Sequence, residues 1–257
     1  MTRLSAPDVI ACPYCGQKHE RSRLASFSNL WSVEYSDGGS TFAPYDCGVV
    51  IGRCTVCDVL IPNVGGLKSL GEVVTIKRVY PSFWRSLFGL DLVFDVEKPF
   101  QLPELPLPEL PDWFEAATIT TASLIPVPLQ RQCQLIAMHK YNQLLVAKRR
   151  WQHQDFIWKV QYRAKHQEIE NQILLRFNRQ SNKASNCNLV KGGDDSFEFD
   201  AMVAADIYRR RGLFDSAKRC LEKVTDDSYQ YRKTLLMQWI LDKNRHLMIV
   251  PNQRLCD

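Results

Sequence analysis

The sequence predicts an α+β chain in which a small, metal-tied β module precedes a mainly helical domain. Three observations carry this expectation. Cys12, Cys15, Cys54 and Cys57 form two C-x-x-C pairs near the front. Prolines at 99, 103, 106, 108 and 111 then break the chain, and beyond about residue 130 apolar residues recur every three or four positions, the period of a helix with one buried face. The expected layout is therefore a β module with a short extension over 1–98, an extended connector over 99–111, and a helical domain over 112–257. A length of 257 residues suits two modest domains.

The front module is organised by its cysteines. A C-x-x-C turn points two thiolates at one point, and two such turns, here Cys12-Pro13-Tyr14-Cys15 and Cys54-Thr55-Val56-Cys57, supply the tetrahedral four-sulfur set that Zn²⁺ favours. Gly16 fits this reading, because a residue free to take positive φ lets the turn close. A C-x-x-C pair also serves disulfide and redox chemistry, and the 38-residue spacer is longer than in the tightest zinc sites. The pattern resembles a zinc ribbon, and four thiolates with no open position imply a structural rather than a catalytic ion. Cys47 and His19 lie within reach as competing ligands; a small buried thiol and a surface histidine are the plainer expectations.

Leu30 to Tyr35 alternates apolar and polar residues as a half-buried strand does, and Asp37-Gly38-Gly39 is a strong turn signal. Thr41–Tyr45 and Val49–Ile51 read as returning strands that deliver Cys54 beside Cys12. A module this small buries little apolar surface, so the ion should supply much of its folding energy.

Val73–Ile76 and Leu90–Phe94 read as further strands. Between them Phe83, Trp84, Leu87 and Phe88 share one face of a short helix, capped by Ser82. That face suits a sheet cover, or a membrane or partner contact. From Pro99 to Pro111, alternating prolines lack the amide hydrogens that helices and central strands need, so the segment should run extended with its leucines against a neighbouring surface.

The helical domain begins near Gln130. Leu135, Met138, Asn142 and Leu145 mark one buried face; Phe156, Ile157, Val160 and Ala164, then Ile169, Ile173, Leu174 and Phe177, continue it. Ser181–Asp195, rich in Asn and Gly, reads as a loop. Further on, Ala204-Ala205, Tyr208, Gly212, Phe214-Asp215, Ala217 and Leu221 resemble one tetratricopeptide repeat over 198–231, without that family's closing proline. The resemblance implies two helices brought close by small residues, turned at Gly212, and stacked on neighbours. Tyr229–Arg245 reads as the next helix, capped by Asp227 or Ser228.

The net charge of +5 is unevenly spread. Between His139 and Lys183 ten Lys and Arg residues, among them Lys148, Arg149, Arg150 and Arg163, face three acids, with Trp151, Phe156, Trp158 and Tyr162 interleaved. Such a stretch suits phosphate neutralisation and base stacking, or a solvated helix face whose aromatics point inward. The chain contains no phosphate-cradling glycine loop, nucleophile elbow or H-E-x-x-H motif, and an enzyme is not expected.

An apolar share of 45% and a charged share of 24% are enough for packed cores. Nine cysteines, five of them outside the C-x-x-C pairs, do not form a dense disulfide scaffold, and the first residues lack the apolar core of a leader; a reducing cytoplasm is expected. No apolar run of about eighteen residues would cross a membrane. The expected function is a zinc-binding adaptor that holds a protein partner; the alternative is a nucleic-acid binder using the front module and the basic stretch 140–183.

Overall fold

A computed structural model describes residues 3–26, 34–37, 51–61, 64–71, 75–79, 93–97, 102–106, 108–118, 127–146, 153–186 and 195–250. The chain divides into two compact units: one comprises Met1–Asn29 and Val50–Pro108, the other Leu30–Val49 and Glu109–Asp257. It is mixed α+β and, among the described residues, mostly helical, with seven α-helices and short antiparallel strand pairs. No described helix is long and apolar enough to cross a membrane.

In the first unit β1 (Arg3–Ala11) and β2 (Lys18–Ser26) form an antiparallel hairpin closed by the first C-x-x-C turn. The sequence gives little sign of this hairpin, since Lys18 to Arg23 is almost wholly polar. Its register is held instead by turn hydrogen bonds and by a cross-strand pair, Asp8 opposite Arg21, with Arg21 Nε donating to Asp8 Oδ1 at 2.8 Å. Arg21 also donates to the carbonyl of Val64, and both side chains are buried. A second, shorter hairpin, β4 (Gly52–Arg53) and β5 (Leu60–Ile61), carries the second C-x-x-C turn.

β6 (Thr75–Val79) pairs antiparallel with β7 (Val93–Glu97), in agreement with the expected strands at Thr75–Ile76 and Val93–Phe94, while Val73, Val74 and residues 90–92 lie outside the described residues. The helix expected over Phe83–Phe88, the turn at Gly38-Gly39, the strand over Thr41–Tyr45 and Cys47 lie outside the described residues. The proline-rich segment is extended at Pro103–Leu105, where Glu20 N donates to Pro103 O (3.0 Å) and Leu105 N to Glu20 O (2.9 Å). Leu105 packs on the core of this unit, formed by Ile10, Cys12, Cys54, Ile61 and Val64.

In the second unit the helices are α1 (Leu110–Thr118), α2 (Val127–Val146), α3 (His153–Gln161), α4 (Arg163–Asn186), α5 (Asp195–Arg210), α6 (Phe214–Leu221) and α7 (Gln230–Leu241). α1 starts within the expected connector; Pro111, in its first turn, loses no helical hydrogen bond there, and Glu109 N donates to Asp112 Oδ2. α3 and α4 are nearly continuous, because Tyr162 N bonds Trp158 O and His166 N bonds Tyr162 O across the break. α4 also runs through Asn186 where a loop was expected from Ser181. Ser181 is buried and accepts from the Lys223 ammonium, a tertiary contact that outweighs weak local preference.

The described part of the strand expected at 30–35 is β3 (Glu34–Tyr35). It pairs not with the cysteine hairpins but with β8 (Ile249–Val250), inside the helical unit. Polar anchoring explains the choice. Arg232 Nη2 donates to Tyr35 O (2.7 Å), Ser36 N to Met248 O (2.8 Å), and Asn142 Nδ2 to the buried Asp37 carboxylate (2.6 Å).

α5 and α6 form the helical hairpin that the small residues announced. Ala204, Ala205, Ala217 and Leu221 are completely buried, and Gly212 turns the chain at φ 78°. α7 is preceded by a 3-10 turn over Asp227–Tyr229 whose cap is Asp226, its carboxylate accepting from Ser228 N at 2.7 Å, rather than Asp227 or Ser228.

Candidate functional site

The two hairpins of the first unit bring Cys12, Cys15, Cys54 and Cys57 together, with all four sulfurs within 4.8 Å of one another. Each C-x-x-C forms the same knuckle. In the first, Gly16 N bonds Cys12 O (2.9 Å) and Cys12 N bonds Gln17 O (2.8 Å); in the second, Asp58 N bonds Cys54 O (3.0 Å) and Cys54 N bonds Val59 O (3.1 Å). The residue after the second cysteine is left-handed in both, Gly16 at φ 74° and Asp58 at φ 55°. Sequence reasoning singled out Gly16; Asp58 takes the equivalent place because a short polar side chain tolerates that conformation better than most.

The spacing of the sulfurs suits ligands of one ion and not a disulfide. Cys12 and Cys57 lie 3.8 Å apart and Cys15 and Cys54 3.6 Å. A disulfide would hold its sulfurs at about 2.05 Å. Zinc–sulfur bonds of about 2.3 Å imply tetrahedral edges of about 3.8 Å, close to the separations found.

Electrostatics point the same way. Burial pushes the Cys54 thiol up, but the amides of Cys57 and Val56 and the imidazole of His19 outweigh it and bring it down to about 5. Cys57 behaves oppositely: the Val59 amide favours its thiolate, yet desolvation and the neighbouring sulfurs push it up to about 12. The cluster thus holds its first negative charge readily and resists more, as close thiols do when no cation lies among them. The four thiols could hold a metal ion. His19 is not one of the four. It is not the surface residue expected but fully buried, with Nε2 3.4 Å from Cys54 Sγ, so it supports that thiol from beside the cluster.

Of the basic residues, Lys148, Arg149 and Arg150 lie outside the described residues. Arg163, at the start of α4, is exposed, and with Lys159 it lines a cavity of about 910 Å³ within the helical unit. The walls are Tyr141 and Leu145 of α2, Phe156 and Val160 of α3, His166, Gln167, Glu170 and Asn171 of α4, and Arg210 and Arg211 at the end of α5. Three apolar residues expected to be buried are instead exposed here: Leu145 (42%), Phe156 (56%) and Val160 (65%). Ile157 and Ala164 are exposed as well, whereas Ile169, Ile173, Leu174 and Phe177 are buried as their spacing implies.

Behind the cavity lies a buried polar cluster that sequence reasoning missed, because its members come from distant segments. Arg209, with no exposed surface, pairs with Asp206 at 2.6 Å, donates to the carbonyls of Asn244 and His246, and stacks over Trp239. Arg210 bridges Asp206 (2.8 Å) and Glu170 (2.9 Å), and Arg211 reaches the other Glu170 oxygen (2.8 Å). His166 stacks on Tyr141 at 4.4 Å between ring centres. Burial brings its imidazole down to about 4, the attraction of Glu170 being partly offset by Arg210, so it is neutral near pH 7.

The chain matches no protein-family model, and neither the curated proteins nor the solved structures contain a significant match.

Proposed function

We propose that the chain is a non-enzymatic, zinc-stabilised adaptor that holds a protein partner. The observation that carries this reading is the closed set of four sulfurs, which leaves no coordination position for a substrate. Zn²⁺ held by Cys12, Cys15, Cys54 and Cys57 would supply cross-linking of two short hairpins, with His19 steadying Cys54. Thiols kept apart rather than bonded suit a reducing compartment, and the cytoplasm is the proposed location. In the helical unit a tetratricopeptide-like role for α5 and α6 is supported by the four completely buried small and apolar residues and by the left-handed Gly212. Such hairpins serve as scaffolds that present a groove to peptides.

A second reading, nucleic-acid binding through Lys148, Arg149, Arg150 and Arg163, is favoured by the exposed Arg163, which lines the same cavity as the exposed ring of Phe156.

Two measurements test these readings. Elemental analysis and cobalt substitution of the full chain should give one tetrahedral, all-thiolate ion per molecule; a metal-free, folded protein overturns the zinc assignment. Selection of a random displayed-peptide library on the zinc-loaded chain should enrich binders. An empty selection, beside single-stranded RNA or DNA binding that weakens steeply between about 50 and 200 mM salt, would replace the adaptor with the nucleic-acid binder.

A further inference from the structure

We infer that the cavity between α2, α3, α4 and the end of α5 is the partner site, and that it takes an acidic peptide segment carrying a bulky apolar side chain. This rests on the adaptor reading and specifies its partner. Phe156 and Val160 are one helical turn apart on α3, and Leu145 faces the same space from α2. All three expose apolar surface that their spacing would have buried in an ordinary bundle. A volume of about 910 Å³ is of the order that accommodates a few side chains of a docked segment.

Charge complementarity sets the sign of the partner. The Glu170 carboxylate accepts a hydrogen bond from Arg211 at Oε2 and is ion-paired with Arg210 at Oε1, so its charge is already compensated. Arg163 stands exposed at the rim with no ion pair among the described residues, and the Arg211 guanidinium is 31% exposed beside it. With His166 neutral, the four cations Lys159, Arg163, Arg210 and Arg211 outnumber the carboxylates of Glu170 and of Asp206, which Arg210 also holds.

The floor is charge-paired but not fully hydrogen-bonded by the chain itself. His166 and Glu170 are each more than nine-tenths buried, and His166 Nε2, Glu170 Oε1 and Arg210 Nη2 have no hydrogen-bond partner. The Arg210–Glu170 contact at 2.9 Å is an ion pair without hydrogen-bond alignment. Donor and acceptor capacity side by side at the base of an apolar cleft suits a peptide, which offers both N–H and C=O. A phosphate backbone offers acceptors only, and it would meet a carboxylate at this floor. The same composition therefore argues for an acidic peptide over a nucleic acid at this site.

The test extends the displayed-peptide selection with three full-length, zinc-loaded variants, Val160→Asp, Phe156→Ser and Arg163→Glu. All three positions are exposed, so thermal melting should match the unsubstituted chain. Enriched peptides should place Asp or Glu within a few residues of Phe, Leu or Trp. Each variant should weaken their binding about tenfold or more. Arg163→Glu should also reverse the preference toward lysine-containing versions of the same peptides. Binders that are indifferent to all three substitutions would overturn the groove assignment while leaving the adaptor reading intact. An empty library would overturn both. Single-stranded RNA binding that falls with Arg163→Glu but not with Val160→Asp would assign this surface to nucleic acid instead.

Discussion

The two units solve the same folding problem with different means. The first gathers a small apolar core, Ile10, Ile61 and Val64 with Leu67 and Leu105, around two buried cysteines. The second buries Phe114, Met138, Ile169, Phe177, Met202, Ile207, Leu221 and Leu236 almost completely. At roughly 1.5–3 kcal/mol for each large apolar side chain removed from water, the described residues of the helical unit supply more driving force than the described residues of the β unit. Both units bury arginine–carboxylate pairs, Arg21–Asp8 in one and the Arg209–Asp206 network in the other. Buried pairs of this kind fix geometry more than they add stability. The difference is the reason to propose that the β unit leans on an ion at its four cysteines, whereas the helical unit supports a polar cluster and still leaves apolar side chains of its cavity exposed.

The sharpest break of that contrast is Cys54→Ser with Cys57→Ser. Metal affinity worth on the order of 10 kcal/mol in small zinc modules is folding energy. The substitution should therefore abolish metal binding and amide-exchange protection across β1 and β2, while far-ultraviolet dichroism retains the helical signal. Retained metal with unchanged protection would show that the β unit stands on its apolar core after all.

Next in size is Arg209→Leu in the helical unit. It leaves Asp206 buried beside one fewer cation and two carbonyls without their donor, and should cost about 3–5 kcal/mol in urea unfolding. A cost below about 1 kcal/mol would make the network dispensable.

A smaller effect is written into pH. His166 has its folded pKa lowered to about 4, below the unfolded value near 6.5. Between those values the unfolded chain binds a proton that the folded chain refuses, so stability falls as pH drops through this window. The groups facing the imidazole are Glu170, Arg210, Asp37 and Arg211. Moving from about pH 7 to about pH 5 should remove about 2 kcal/mol. His166→Gln should reduce that slope, and comparison of the two proteins separates it from thiolate protonation in the β unit. Equal slopes would place the imidazole's titration elsewhere.

The smallest change expected is Gly212→Ala. A side chain at φ 78° is strained, and the added Cβ meets the guanidinium of Arg245, which is flexible enough to move. The cost should be roughly 1 kcal/mol in the urea midpoint, with metal content unaltered. No cost would mean that the α5–α6 turn can relax.

How much of this was legible depended on the range of the interaction. The four cysteines could be assigned together because two identical local turns repeat, and each turn is set by hydrogen bonds spanning four or five residues. The α5–α6 hairpin was legible for the same reason: Ala204, Ala205, Gly212, Ala217 and Leu221 declare close packing within one short stretch. The β1–β2 hairpin was not, since its polar strands are registered by the knuckle and by Asp8–Arg21. The buried Arg209 cluster was hidden because, apart from Asp206 one helical turn away, its partners Ser36, Asn244 and His246 lie far from it along the chain.

The sequence by itself determined which thiols gather and where the chain turns helical, because spacing within a turn and periodicity along a helix are local properties. Tertiary structure alone decided that Glu34–Tyr35 pairs with Ile249–Val250 and that Phe156 and Val160 face open space. Periodicity tells which residues share a face, but only the set of neighbouring elements decides whether that face is covered.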